Sequence, residues 1–135
     1  MKTNNISLAI LVLLPLFLNS CDVNSPESLL FNSPKCSIVS IADISFNQFG
    51  YATMSIKVVN NGDGPTAFSV NCYVKLKKGE LILDDGSAYF GTLKEGESRE
   101  EDVIFFDLEE ADVINHKEII LSWYDAEEGF YYEEY

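Results

Sequence analysis

Tyr51-Ala-Thr-Met-Ser-Ile-Lys-Val-Val-Asn60-Asn-Gly-Asp-Gly-Pro-Thr-Ala-Phe-Ser-Val70-Asn-Cys-Tyr-Val-Lys-Leu-Lys-Lys78 decides the fold class. Ala52, Met54, Ile56 and Val58 alternate with Tyr51, Thr53, Ser55 and Lys57. The polar run Asn60-Asn61-Gly62-Asp63-Gly64-Pro65 follows. Beyond it Phe68, Val70, Cys72, Val74 and Leu76 alternate with Ser69, Asn71, Tyr73, Lys75 and Lys77. Period two on both sides of turn-forming residues predicts two half-buried antiparallel strands joined as a hairpin. Each turns one face to a core and one to water, with Phe68 in the core-facing set.

The same pattern extends in both directions. Cys36–Phe46 is a strand candidate in which Ile38, Ile41, Ile44 and Phe46 break a single parity, so a bulge or fault is expected near Ser40. Leu81-Ile82-Leu83 and Ala88–Leu93 read as short strands separated by a turn at Asp84-Asp85-Gly86-Ser87, because Asp-Gly tolerates positive φ. Glu101–Leu108 carries the apolar run Val103-Ile104-Phe105-Phe106. Asp107–His116 has room for one helical turn. Ile119–Tyr124 is apolar nearly throughout, as expected of a central strand covered on both sides. Phe130–Tyr135 is a final edge strand that Glu128, Glu133 and Glu134 protect from edge-to-edge association. About seven short strands between residues 35 and 135, with no convincing helix, predict an all-β sandwich with Greek-key connections; a closed barrel is the alternative.

The 135 residues suit one domain plus accessory segments, and a hydrophobic content of 47% is enough to build a core. The net charge of −13 argues against nucleic acid as a partner, which needs clustered Lys and Arg, and against a polybasic membrane patch.

Residues 1–20 have the layout of a targeting segment. Lys2 gives a positive start, and Ile6–Leu18 is an apolar run of 13 residues containing Pro15. That is shorter than the roughly 20 residues a membrane-spanning helix needs. Leu18-Asn19-Ser20-Cys21 resembles the bacterial lipoprotein lipobox, with Leu18 three residues before the cysteine and the small Ser20 directly before it. The resemblance implies cleavage before Cys21 and acylation of that residue, and several acyl chains anchor a protein stably where one would not. A mature chain beginning at Cys21 would carry a net charge of −14, since Lys2 is the one charge removed. Residues 21–34 then read as the lipidated cysteine and a polar, proline-containing tether, placing residues 35–135 outside the cytoplasm.

Two stretches resemble extracellular bacterial immunoglobulin-like domains of the CARDB and FxLYD types. One is Val58–Ala67 followed by Val70–Leu76, with an Asn-x-Gly turn; the other is Gly86–Ser98, ending in Gly91-Thr92-Leu93-Lys94-Glu95-Gly96-Glu97-Ser98. Glu95 stands where such domains commonly have proline. The resemblance implies an immunoglobulin-like sandwich serving as an adhesive, spacer or accessory module. It carries over no catalytic residue, because the matching positions are turns.

Candidate chemistry is sparse. His116 is the single histidine, in a polar segment before a strand, where a surface role is the ordinary reading. There is no phosphate-binding glycine loop, Cys-x-x-Cys or His-Glu-x-x-His, and no cofactor is expected. Carboxylates offer hard oxygen ligands at Asp107, Glu109 and Asp112 and again at Asp125 and Glu127, which makes these weak calcium candidates beside the default of solvated loops. Cys36 and Cys72 share the parity of core residues. In an exported domain they would either form a disulfide, closing a loop of about 35 residues worth about 3–4 kcal/mol, or remain buried thiols. Trp123, Tyr124, Tyr131, Tyr132 and Tyr135 crowd the last two strands with Phe130, and exposed aromatics on a strand face stack on sugars or anchor a protein partner. The expected function is a non-enzymatic, membrane-anchored envelope lipoprotein that binds a protein partner through its sandwich. The alternative is a carbohydrate-binding accessory module using the C-terminal aromatics.

Overall fold

The computed structural model describes residues 33–62 and 65–135. The expected targeting segment, Cys21 and most of the expected tether lie outside the described residues.

Eight strands run in the order β1 (Cys36–Ile41), β2 (Ser45–Phe46), β3 (Ala52–Asn60), β4 (Ala67–Lys78), β5 (Leu81–Leu93), β6 (Ser98–Phe105), β7 (His116–Asp125) and β8 (Gly129–Glu134). They form two antiparallel sheets, with no helix among the described residues. In the first, β3 is central: β6 pairs along one side of it, and β1 and β2 share the other. The second has the order β5-β4-β7-β8. The sheets face each other over a core that includes Met54, Ile56, Val74, Leu76, Phe90, Phe105, Leu121 and Trp123. Strands that change sheet between β3 and β4, β5 and β6, and β6 and β7 make this a Greek-key, immunoglobulin-like sandwich.

Alternation accounts for most of the burial. Along β3 every second residue from Ala52 to Asn60 is buried. The irregular β1 parity has its expected cause, a register shift between Ile38 and Ser40. Among the described residues β8 pairs with β7 alone and is an edge strand.

Five expectations are corrected. β3 and β4 are not a hairpin: they pair within different sheets. A link of six residues is not bound to the tight two-residue geometry that forces strands to pair. Phe68 leaves the core set, because a bulge at Ser69 (φ 50°) puts two successive residues of β4 on the solvent side before Val70 returns inward. Asp84–Ser87 is not a turn but the middle of β5, in continuous register with Tyr73–Leu76. Gly86 is there for space: a Cβ would lie 2.7 Å from the Ile104 carbonyl oxygen and from the Val103 side chain. The 107–115 segment contains a hydrogen-bonded turn, Asp112 N–H to the Glu109 carbonyl at 3.0 Å, and no helix. β7 is interior to its sheet but covered on one face only, so Ile119, Leu121 and Trp123 are buried while Tyr124 faces solvent.

The two lateral sides of the sandwich close differently. On the β5/β6 side the backbones approach closely at Gly86, and Arg99 on β6 donates to the Phe90 carbonyl of β5. On the β1/β8 side polar groups bridge the gap. The Trp123 indole donates to the Pro34 carbonyl (3.1 Å), and the Ile38 N–H to the Tyr135 hydroxyl (3.3 Å). Ser33 and Tyr131 both donate to Glu128. Residues 33–35 are thus already part of the sandwich.

Candidate functional site

The outward face of the β5-β4-β7-β8 sheet is where exposed aromatic side chains are brought together. Strand alternation sends Phe130 and Tyr132 of β8, Ser122 and Tyr124 of β7, Asn71 and Tyr73 of β4, and Ser87 and Tyr89 of β5 to that face. The pairing register lines them up in rows across the strands. Phe68, Tyr124 and Phe130 are directly opposite one another on β4, β7 and β8. The next row reads Tyr89, Asn71, Ser122, Tyr132 and spans all four strands. The third reads Ser87, Tyr73, Ile120, Glu134. Phe130 is 68% exposed, Tyr132 and Tyr89 are 64% each, and Tyr124 is 45%, so these rings are not packed away beneath neighbours. Residues directly opposite on antiparallel strands have Cβ atoms roughly 5 Å apart, so each row is a set of side-chain neighbours.

Two bulges shape the platform. β4 shifts register around Phe68–Asn71, opposite Gly91 of β5, whose φ is +73°. That φ is what favours glycine there; an added Cβ would lie 3.0 Å from the Arg99 guanidinium, the flexible end of its side chain. Ser122 Oγ donates to the Asn71 carbonyl at 3.4 Å, holding β7 to β4 between the rings.

In its far half this face carries a locally compensated charge cluster. Lys75 lies 3.1 Å from Glu118, and Lys77 bonds the other oxygen of the same carboxylate. These two hydrogen bonds hold the Glu118 carboxyl below its ordinary pKa. The Tyr73 hydroxyl donates to Asp85 at 2.9 Å, and that bond pushes the phenol upward. Lys75 also sits over the Tyr73 ring, 5.5 Å from its centre. The first two aromatic rows carry no charged side chain.

The five C-terminal aromatics singled out in the sequence divide three ways. Tyr124 and Tyr132 belong to the outer face. Trp123 is buried and stacks on Tyr131 with ring centres 5.8 Å apart and planes 13° from parallel, facing the core. Tyr135 lies at the β8 edge, with its hydroxyl donating to Glu133 at 2.7 Å and accepting from Ile38. Phe68, Asn71 and Tyr89 complete the face from strands remote in sequence. Their signal is cross-strand register, which one strand read alone does not carry.

Among the described residues no three His, Cys, Asp or Glu side chains converge as a metal site. The calcium candidates fall at opposite ends of the sandwich, Asp107, Glu109 and Asp112 between β6 and β7, Asp125 at the end of β7 and Glu127 in the turn after it. Asp112 accepts the Glu109 N–H at 2.9 Å and Asp125 the Glu127 N–H at 2.8 Å, so both carboxylates hold their own turns. Cys36 and Cys72 are buried free thiols in this structure, and burial pushes both up to about 12. A thiol so far from ionising is a poor nucleophile. His116 is exposed at the first residue of β7, opposite Lys77. No helix of the described residues is long and apolar enough to cross a membrane.

No family model matches the chain, and no curated protein matches it. Among solved structures, the sporulation control protein Spo0M from Bacillus subtilis is similar over 76% of this chain and 46% of its own, with 9% sequence identity and a TM-score of 0.33. The chain therefore spans about half the length of that protein, and a likeness at this level carries no argument about either fold or function.

Proposed function

We propose that this chain is a non-enzymatic, lipid-anchored envelope protein whose sandwich serves as an adhesive or accessory binding module. The observation that carries the binding role is the outward face of the β5-β4-β7-β8 sheet. There Phe68, Tyr124 and Phe130 form one row, and Tyr89 and Tyr132 flank Asn71 and Ser122 in the next. Large exposed aromatic patches are costly to keep in water and mark surfaces that are covered in use. The non-enzymatic reading is supported by the burial of both described thiols and by the solitary, exposed His116. The anchor is supported by the targeting segment and the lipobox-like Leu18–Cys21.

The test uses the full chain in mild detergent, incubated with washed cell envelopes. The unmodified chain is expected to be retained, and Tyr124→Ala/Phe130→Ala to be released while keeping its melting temperature. Equal retention of the two would refute the docking role. Incorporation of labelled palmitate, lost in Cys21→Ser, tests the anchor separately.

A further inference from the structure

We infer that the ligand of this face is a neutral polysaccharide lying across the strands over the row Tyr89, Asn71, Ser122 and Tyr132. The inference rests on the docking role proposed above and names its ligand class. The first support is geometry. The row spans three strand spacings, so Tyr89 and Tyr132 stand roughly 14 Å apart across a twisted platform. Between them come an amide and a hydroxyl, and beside them runs the apolar ledge of Phe68, Tyr124 and Phe130. A pyranose chain offers the matching alternation: C–H faces that stack on aromatic rings, and hydroxyl rims that exchange hydrogen bonds with amides and hydroxyls.

The second support is charge. The whole chain carries −13, yet the two aromatic rows are uncharged. The cations around them are engaged: Arg99, beside Tyr89, by Glu97 and the Phe90 carbonyl, and Lys75 and Lys77 by Glu118. Polyanions such as nucleic acids or anionic lipid surfaces are disfavoured by the chain's overall field. A basic protein partner would find its attraction at the acid-rich loops, Glu109, Glu110 and Asp112 at one end and Glu127 and Glu128 at the other, and not on this neutral face. An uncharged, hydroxyl-rich ligand is the one that complements it.

The experiment is native gel electrophoresis of the full chain in gels containing a soluble neutral polysaccharide: mixed-linkage β-glucan, arabinoxylan, galactomannan, dextran or glycogen. The expected result is retardation by at least one of the five. Tyr89→Ala and Tyr132→Ala should each weaken the interaction at least tenfold at unchanged melting temperature. Tyr132→Phe, which keeps the ring, should retain most of it, and Phe49→Ala at the β2–β3 turn should have no effect. Retardation by none of the five, or retardation indifferent to Tyr89→Ala and Tyr132→Ala, overturns the inference. The envelope assay separates it from the reading beneath it. Retention that depends on Tyr124 and Phe130 but survives periodate and is destroyed by protease means a protein ligand, which leaves the docking face and removes the glycan. Retention indifferent to these aromatics removes both.

Discussion

Asn60–Gly62 and Asp84–Gly86 are the same device at opposite ends of the sandwich. In each, a short polar side chain bonds the backbone of distant segments, and a glycine two residues later lets another strand or segment come closer than a side chain would allow. At the first, Asn60 is fully buried. Its Oδ1 accepts from Lys35 N–H (3.2 Å) and Gly62 N–H (3.1 Å), and its Nδ2 donates to the carbonyls of Pro65 (2.9 Å) and Leu93 (3.1 Å). A Cβ on Gly62 would lie 2.5 Å from both Lys35 N and Ser33 O. At the second, Asp84 Oδ2 accepts from the Asp107 N–H (2.7 Å) and the Leu108 N–H (3.0 Å). The difference lies in the chemistry of the two side chains. The first end must satisfy donors and acceptors in a dry place, which only an amide does; the second has only N–H groups to satisfy and is partly wet, so a carboxylate serves.

The largest effect should come from emptying the dry end. Asn60→Ala strands two N–H groups and two carbonyls and should cost about 3–4 kcal/mol. For a domain of this size that lowers Tm by more than 10 °C, measurable by calorimetry. A loss below about 1 kcal/mol would mean that water enters and that the end is not dry.

Gly86→Ala should cost about 2–3 kcal/mol, because the new methyl group meets the Ile104 carbonyl and neither sheet yields easily. Gly79→Ala is the control. Its φ of +62° disfavours a side chain, but nothing lies within 4 Å of the added carbon, so about 1 kcal/mol is expected. If the two cost the same, close approach is not what requires glycine at Gly86.

These two glycines also show what a sequence reveals. The Asn60–Pro65 run and the Asp84-Asp85-Gly86 run carry the same local chemistry, and reading both as turns is the natural inference. One links two sheets and the other is mid-strand, because β6, about 17 residues further along, needs the space over Gly86. Alternation was enough to identify the core set from Ala52 to Val58 and to separate Tyr132 from Tyr131, since the side-chain period is local. The outer aromatic face was half legible. Tyr124 and Tyr132 were marked by composition. Tyr89 reached the row through pairing across three other strands, and Phe68 through a bulge that inverts its parity, and neither leaves a local trace.

The dry end is also expected to be alkali-sensitive. Cys36 lies opposite Asn60 in the β1–β3 register, and Cys72 is buried on β4. Burial raises both thiols from 9.0 to about 12. Below pH 9 the thiols are protonated whether the chain is folded or unfolded, so they add no pH dependence. Between pH 9 and 12 the unfolded chain ionises them and the folded chain does not, so stability falls as pH rises. The two thiols together should account for about 2–3 kcal/mol of loss by pH 10. Cys36→Ala/Cys72→Ala should flatten that slope in urea titrations at pH 7.5 and pH 10, despite a lower starting stability from the lost packing. An unchanged slope would place the alkaline transition elsewhere.

The smallest effect belongs to the wet end and tests the comparison most closely. Asp84→Ala removes two charge-assisted bonds to the 107–108 backbone, but those N–H groups lie near solvent and water replaces part of what is lost, so about 1–2 kcal/mol is expected. Asp84→Asn keeps an acceptor oxygen and should cost less than half of that. The sharper measurement is hydrogen exchange at Asp107 and Leu108, where Asp84→Ala should lose protection locally while the β3 and β4 amides keep theirs relative to global stability. If exchange rises in both places equally, Asp84 is holding the sandwich and not just its loop, and the two ends are alike in energy as well as in design. If it rises at neither, the close contact at Gly86 alone seats β5 against β6. The carboxylate would then be a consequence of that packing, and only the Asn60 end would be held by its side chain.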